Sequence, residues 1–187
     1  MPELPEVQTV VEDLKAKVVG RRIVDVWFDT PKIIKKPQPA EFQKDVKGLK
    51  IADIQRRGKN ILIYLIDGKQ LKINNYLLLV HQKMTGHLLY GKWRINKNSK
   101  FQSLKVESLI KGPLREKVNN YIHLIFYFDN GWQLALSDLR KFAKVLFGKK
   151  EEIENLPDLK KLGLEPFDKN LTVSKFKSLI SRKKSKI

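Results

Sequence analysis

The sequence predicts a mainly β protein with some helix: one N-terminal helix, then about eight short strands forming a sandwich or barrel, then a short helical segment. Three observations carry that prediction. A 3.6-residue apolar stripe runs over residues 7–18, short β-branched or aromatic runs separated by turn residues recur between residues 23 and 136, and the composition changes after Gly148. In the helix, Val7, Val10, Val11, Leu14 and Val18 share one face and Gly20 ends the pattern. Pro5 suits a first turn, and Glu3 and Glu6 stand where carboxylates complement the positive end of the helix dipole.

The strand candidates are Ile23–Phe28, Leu49–Ile54, Ile61–Ile66, Leu71–Ile73, Leu77–Val80, Leu88–Leu89, Tyr121–Phe128 and Trp132–Leu136. Between the last two, Asp129-Asn130-Gly131 is a strong hairpin signal. Residues 31–39 and 94–120 are basic, punctuated by Pro or Asn and weakly periodic, and read as long loops. After Gly148, residues 149–163 read as a short helical stretch interrupted at Pro157, and Thr172 caps a second one with Val173, Phe176, Leu179 and Ile180 on one face. Their apolar surface is too small for an independent core, so residues 149–187 read as the beginning of a second, helical domain after a first domain over residues 1–148.

Composition narrows the chemistry. The 187 residues hold 38 Lys+Arg against 20 Asp+Glu, a net charge of +18, with no Cys and three His. Absence of cysteine excludes disulfides, thiolate nucleophiles, thiolate zinc sites and iron–sulfur clusters within these residues, and three scattered His do not make a metal site. No apolar run approaches the roughly 18 residues of a membrane span, and the first residues lack a signal-peptide pattern, so a cytoplasmic, nucleoid-associated protein is expected. Residues 31–128 alone carry 20 basic and 6 acidic side chains. Such an excess is the footprint of a polyanion-binding surface, nucleic acid foremost, with a merely solvating lysine surface as the bland alternative.

Four blocks could carry chemistry. If the initiator Met is removed, Pro2 presents a secondary α-amine beside Glu3 and Glu6; with a reference pKa near 8, its free-base fraction at neutral pH is roughly 250-fold that of a lysine. The same residues could simply open a helix. Arg56-Arg57-Gly58-Lys59-Asn60 is either a charged hairpin or a loop presenting Lys59 and backbone N–H groups to phosphate. In His81–Gly86 (HQKMTG), Met84 is either a core plug or a wedge into a base stack, and Asp138–Phe142 (DLRKF) pairs a cation with an aromatic two residues on.

Together and in this order, MPELPEV, RRGKN, HQKMTG, DLRKF and LGLEPF resemble the bacterial formamidopyrimidine-DNA glycosylase family, with its R-R-G-K, H-x-x-M-S/T-G, D-P-R-R-F and L-G-x-E-P-L/F blocks. The resemblance implies a two-layer, eight-stranded β-sandwich behind the N-terminal helix, followed by the start of a helix-two-turn-helix domain. It also implies base-excision DNA repair: a bifunctional DNA glycosylase and abasic-site lyase that removes 8-oxoguanine and formamidopyrimidines from damaged double-stranded DNA, with strand cleavage by β,δ-elimination. A monomer without membrane association is expected.

By the same resemblance, Pro2 is the Schiff-base nucleophile and Glu3 the proton donor, with Glu6 supporting that corner. Lys59 contacts phosphate or lesion and donates a proton in β-elimination, while Met84, Arg140 and Phe142 fill the gap left by the extruded base. Lys183 falls at a DNA-binding basic position, and Tyr121 stands where the family has a DNA-contacting His, His123 matching the next His. Leu139, Lys141 and Ala143 depart from the family's Pro, Arg and Gly. Leu4 favours this branch over the related oxidised-pyrimidine enzymes, which carry Gly there. The family's zinc finger, with its δ-elimination Arg, has no counterpart in these residues, so no cofactor is expected in this chain. A non-catalytic duplex-binding fragment is the alternative.

Overall fold

The computed structural model describes residues 2–68, 76–98, 103–110, 117–166, 168 and 170–181. Helix α1 (Leu4–Val18) buries Val7, Val11, Leu14 and Val18, with Val10 packed at the margin of the same core. The stripe predicted from the sequence is therefore the helix's inner face. The Glu3 backbone N–H donates to Glu6 Oε2 at 2.9 Å, which satisfies one amide at the helix start. Gly20, at φ +85°, turns the chain away.

Two sheets follow. Strands β1 (Ile23–Phe28), β6 (Gly86–Gly91), β9 (Ile122–Phe128) and β10 (Gln133–Asp138) form one, in the order β1-β9-β10-β6. Strands β2 (Ile34–Lys36), β3 (Leu49–Arg57), β4 (Asn60–Asp67), β5 (Tyr76–His81) and β11 (Lys144–Lys149) form the other, in the order β2-β11-β5-β4-β3. Their inner faces share one core that includes Ile54, Ile63, Leu78 and Val145 from one sheet and Leu124, Phe126 and Leu136 from the other. Helix α2 (Pro39–Val46) joins the layers through Phe42, whose ring makes edge contacts with Phe126 at 6.2 Å and Phe147 at 6.1 Å.

Both outer faces are covered as well. Hairpin β7 (Trp93–Asn98) and β8 (Ser103–Ser108) lies over Ile122, Ile125 and Ala135 of the four-stranded sheet through Trp93, Ile95 and Val106. On the five-stranded sheet, α3 (Lys150–Glu154) and α4 (Pro157–Lys160) set Ile153 and Leu159 against Leu62, Tyr64, Leu77 and Leu79. Helix α5 (Val173–Ser181) is capped as expected, its Lys175 N–H donating to Thr172 Oγ1 at 3.2 Å, but its apolar face is exposed.

The mainly β, two-layer sandwich agrees with the sequence reading; the strand inventory differs. Among the described residues the two sheets hold nine strands, not eight, and a separate hairpin adds two more. Segment 31–39, read as a loop, contains a 3-10 turn, β2 and the start of α2, and segment 94–120 contains most of β7 and all of β8. Strand β11 escaped notice because both its faces are buried, Val145 and Phe147 inward and Leu146 outward, so it shows no polar alternation. The candidate strand Leu71–Ile73 lies outside the described residues. Among the described residues no helix is long and apolar enough to cross a membrane.

Candidate active site

The β3–β4 hairpin turns on two residues, Gly58 and Lys59, since Arg57 pairs with Asn60. Gly58 adopts φ +56°, which favours glycine, and a Cβ there would crowd the Leu162 side chain at 3.1 Å. The turn is clamped from outside. Glu165 Oε1 accepts the Gly58 N–H at 2.6 Å, its Oε2 lies 2.6 Å from Arg56 Nη1, and Arg57 Nη2 donates to the Leu162 carbonyl at 3.0 Å. Arg56, with its side chain only 8% exposed, also donates from Nε to Gln8 Oε1 of α1 at 2.8 Å. A continuous chain of contacts thus runs from the N-terminal helix through Arg56 and Glu165 to the backbone that carries Lys59. Burial pushes the Glu165 carboxyl up, but the Gly58 amide and the Arg56 and Arg57 guanidiniums outweigh it and hold the group below the ordinary glutamate range.

Beside this turn, Asn60 pairs across the sheet with His81, the last residue of β5. The Lys83 N–H donates to His81 Nδ1 at 3.0 Å, which leaves the neutral ring's proton on Nε2. Burial, and then the charges of Lys83, Lys144 and Lys59, lower the His81 pKa. His81 is therefore a neutral hydrogen-bond donor at pH 7 amid ammonium groups. Leu4, Gly58, Lys59 and His81 line one cleft of about 810 Å³, floored by Leu146, Leu159 and other apolar side chains. Pro2, half-buried, and Glu3, exposed, precede Leu4 at the start of α1, and Glu6 is exposed on its first turn.

A second cleft, of about 470 Å³, is lined by Met84 and Phe142 together with lysines. These two side chains are 47% and 56% exposed, so neither is a core plug. They stand on neighbouring loops, and Arg140 Nη1 reaches Met84 Sδ at 3.4 Å, so the structure brings the three residues together. Asp138, fully buried, ties the loops from below: it accepts the Thr85 hydroxyl, the Arg140 N–H at 3.3 Å and the Ala143 N–H at 2.7 Å. Lys83 and Lys141 hold left-handed turns at φ +57° and +58° without glycine.

Tyr121, half-buried, closes a 3-10 turn before β9, and its neighbour Ile122 pairs with Ser137, which places it at the sheet end where Asp138 begins its loop. His123 is buried with Nδ1 2.8 Å from Asp29 Oδ1. Burial raises the Asp29 pKa, but bonds from His123 and Thr30 and the charges of His123 and Lys141 outweigh it and lower the pKa overall, leaving the carboxyl ionised. Lys183 lies outside the described residues.

A model of the formamidopyrimidine-DNA glycosylase N-terminal domain matches residues 1–145. The chain belongs to the formamidopyrimidine-DNA glycosylase family. Proteins of that name from Pelotomaculum thermopropionicum and Bacillus cereus are 33% and 35% identical over 100% of this chain, which spans 58% of the length of each. Among solved structures, the complex of Lactococcus lactis Fpg with DNA containing an abasic site superposes with a TM-score of 0.60 at 25% identity, covering 81% of this chain and 45% of that one. A complex of an L. lactis Fpg mutant with DNA containing Fapy-dG matches equally, at 26% identity.

Within the formamidopyrimidine-DNA glycosylase match lie all the candidate residues except Lys183. The family's zinc finger requires cysteines that this sequence lacks, and among the described residues no three His, Asp or Glu side chains gather where a metal ion could sit, so the residues present do not fit that ion. Sequence reasoning singled out neither Glu165 nor Asp138 as a site residue, although both stood in quoted motifs. Their roles arise from contacts across 107 and 53 residues, which no local pattern reveals.

Proposed function

We propose that this chain excises oxidised purines, 8-oxoguanine and formamidopyrimidines, from duplex DNA and then cleaves the strand at the resulting abasic site. One observation carries the reading: blocks near residues 4, 59 and 81 meet on one cleft, while Met84, Arg140 and Phe142 stand together beside it. A damaged base cannot be attacked inside the stack and must be extruded, at a cost of a few kcal/mol that inserted side chains partly offset. Exposed apolar, aromatic and cationic side chains on a buried anchor suit that insertion.

The extruded nucleoside enters the first cleft. The Pro2 nitrogen forms a bond to C1′ as the bond from C1′ to the base breaks, and the base leaves with a proton delivered through Glu3. The attacking nitrogen's own proton, passed through Glu3 to the ring oxygen, lets the bond from C1′ to that oxygen break, which opens the sugar and leaves a cationic Schiff base on Pro2. Loss of a C2′ proton then expels the 3′-phosphate by β-elimination, with Lys59 donating a proton to that leaving group, and water finally hydrolyses the Schiff base to release Pro2. Glu6 holds the helix start through its bond to the Glu3 amide. Lys59, the neutral Nε2–H of His81, Tyr121 and Lys183 contact the backbone. Duplex DNA as partner assigns the activity to the nucleoid.

Release of free base from duplexes containing 8-oxoguanine opposite cytosine, followed by mass spectrometry, tests the proposal. Parent chain is expected to release 8-oxoguanine, and Glu3→Gln to do so about 10²–10⁴-fold more slowly, as for loss of a general acid. Salt-sensitive duplex binding with no base released would overturn it in favour of a non-catalytic DNA-binding fragment.

A further inference from the structure

The two clefts share three side chains, Lys35, Lys83 and Lys144. Lys35 comes from edge strand β2, Lys83 from the left-handed turn after β5, and Lys144 from the first position of β11, so three separate elements contribute a lysine to the wall that the two clefts share. Neutralisation there is slight. Asp158 is the one carboxylate among the described residues that lines either cleft; it lies 3.8 Å from Lys144 Nζ with its side chain 86% exposed. An ion pair that open contributes little. After burial, the charges of Lys83, Lys144 and Lys59 also lower the His81 pKa.

A cluster of like charges raises the energy of the free protein, and a bound anion relieves it. Between the space left by a base and the space that receives it runs the sugar–phosphate backbone, and rotating one nucleotide out draws that backbone into the junction. We propose that Lys35, Lys83 and Lys144 form a binding site for the backbone phosphodiester at the point where the strand bends out of the duplex, a site that an unbent strand does not reach. This assignment rests on the proposed function and adds a recognition step to it: extrusion is stabilised by the phosphate as well as by the inserted side chains.

The test is the salt dependence of binding to two duplexes, one intact and one with a tetrahydrofuran abasic site, for the 187-residue chain, Lys35→Ala/Lys144→Ala, and Lys44→Ala/Lys50→Ala. Lys44 and Lys50 are exposed and line neither cleft. On the abasic duplex the first double variant is expected to flatten the log–log salt slope by about 1 for each lysine removed. Its slope on the intact duplex should stay at the parent value, and its preference for the abasic duplex should fall. Lys44→Ala/Lys50→Ala should keep the preference. Equal flattening on both duplexes would mean generic backbone contacts, and no flattening on either would mean no contact; each overturns the assignment. If the parent chain itself does not distinguish the duplexes, the failure is that of the glycosylase reading, and the assignment falls with it.

Discussion

The turn that carries Lys59 and the loops that carry Met84 and Phe142 are built in opposite ways. The first is clamped: Glu165 accepts the Gly58 N–H, Leu162 lies against Gly58, and Arg56, itself held by Gln8, donates to the Gly58 carbonyl. The second is anchored from beneath by Asp138 and open above, with its apolar side chains about half exposed. A reacting corner must hold its groups within a fraction of an ångström of productive geometry, whereas a wedge must be free to enter a base stack. The comparison separates changes that damage the fold from changes that damage only DNA handling.

Removing the clamp has the largest expected effect. Glu165→Ala takes away the Gly58 acceptor and leaves Arg56 buried without a counter-ion, a loss of about 2–4 kcal/mol for a partly buried pair. At roughly 2–4 °C per kcal/mol for a chain of this size, Tm should fall by about 4–16 °C. Glu165→Gln keeps an acceptor for Gly58 and should lose less than half as much. Thermal unfolding ranks the three proteins, and identical melting curves would mean that the clamp holds nothing.

Asp138→Ala comes next, with an expected cost of about 2–3 kcal/mol, because the Thr85 hydroxyl and Ala143 N–H lose a buried acceptor. Unlike Glu165→Ala it should leave the Lys59 turn intact, so trapping on a pre-formed abasic site should survive while excision of 8-oxoguanine falls. By contrast, Met84→Ala and Phe142→Ala touch exposed side chains and should stay within about 0.5 kcal/mol of parent stability. Each should still weaken base extrusion, read by 2-aminopurine fluorescence, by about 10-fold, since a stacking contact with a base is worth about 1–3 kcal/mol. A Tm loss without an extrusion defect would make them core residues after all.

The smallest effect is in pH. Glu165 has a folded pKa below its ordinary 4.5, so its stabilisation is fully present above that value and is lost as pH falls through the folded pKa. Stability measured between pH 7 and pH 3 should fall on the acid side, and the gap between parent and Glu165→Gln should close over the same interval. A gap that stays constant to pH 3 would show that the ionised carboxylate contributes no more than a neutral acceptor.

What the sequence made legible follows the same division. Helix α1 and the Asp129–Gly131 hairpin are local patterns, and both stand where the residues put them. Helix α2 offered only Phe42 and Val46 as buried positions, one turn apart, too few for a periodic signal. The motif blocks named residues that the fold brings to two neighbouring clefts, but not how those clefts are joined. Leu162 beneath Gly58, Glu165 across from Arg56 and Lys35 beside Lys83 and Lys144 are long-range meetings that only the packed chain creates. Met84 was ambiguous for a simpler reason: a long apolar side chain after a strand suits a core as well as a base stack, and its exposure removes the first reading without showing the second.

The most direct test of the central claim, a Pro2 amine poised beside the Lys59 cleft, is borohydride trapping of the chain on an 8-oxoguanine duplex and on an abasic duplex, with peptide mapping of the adduct. The account predicts an adduct on Pro2 with both duplexes, lost in Pro2→Gly and retained in Lys50→Ala. An adduct on a lysine, equal trapping by Pro2→Gly, or no adduct despite tight salt-sensitive binding would contradict it.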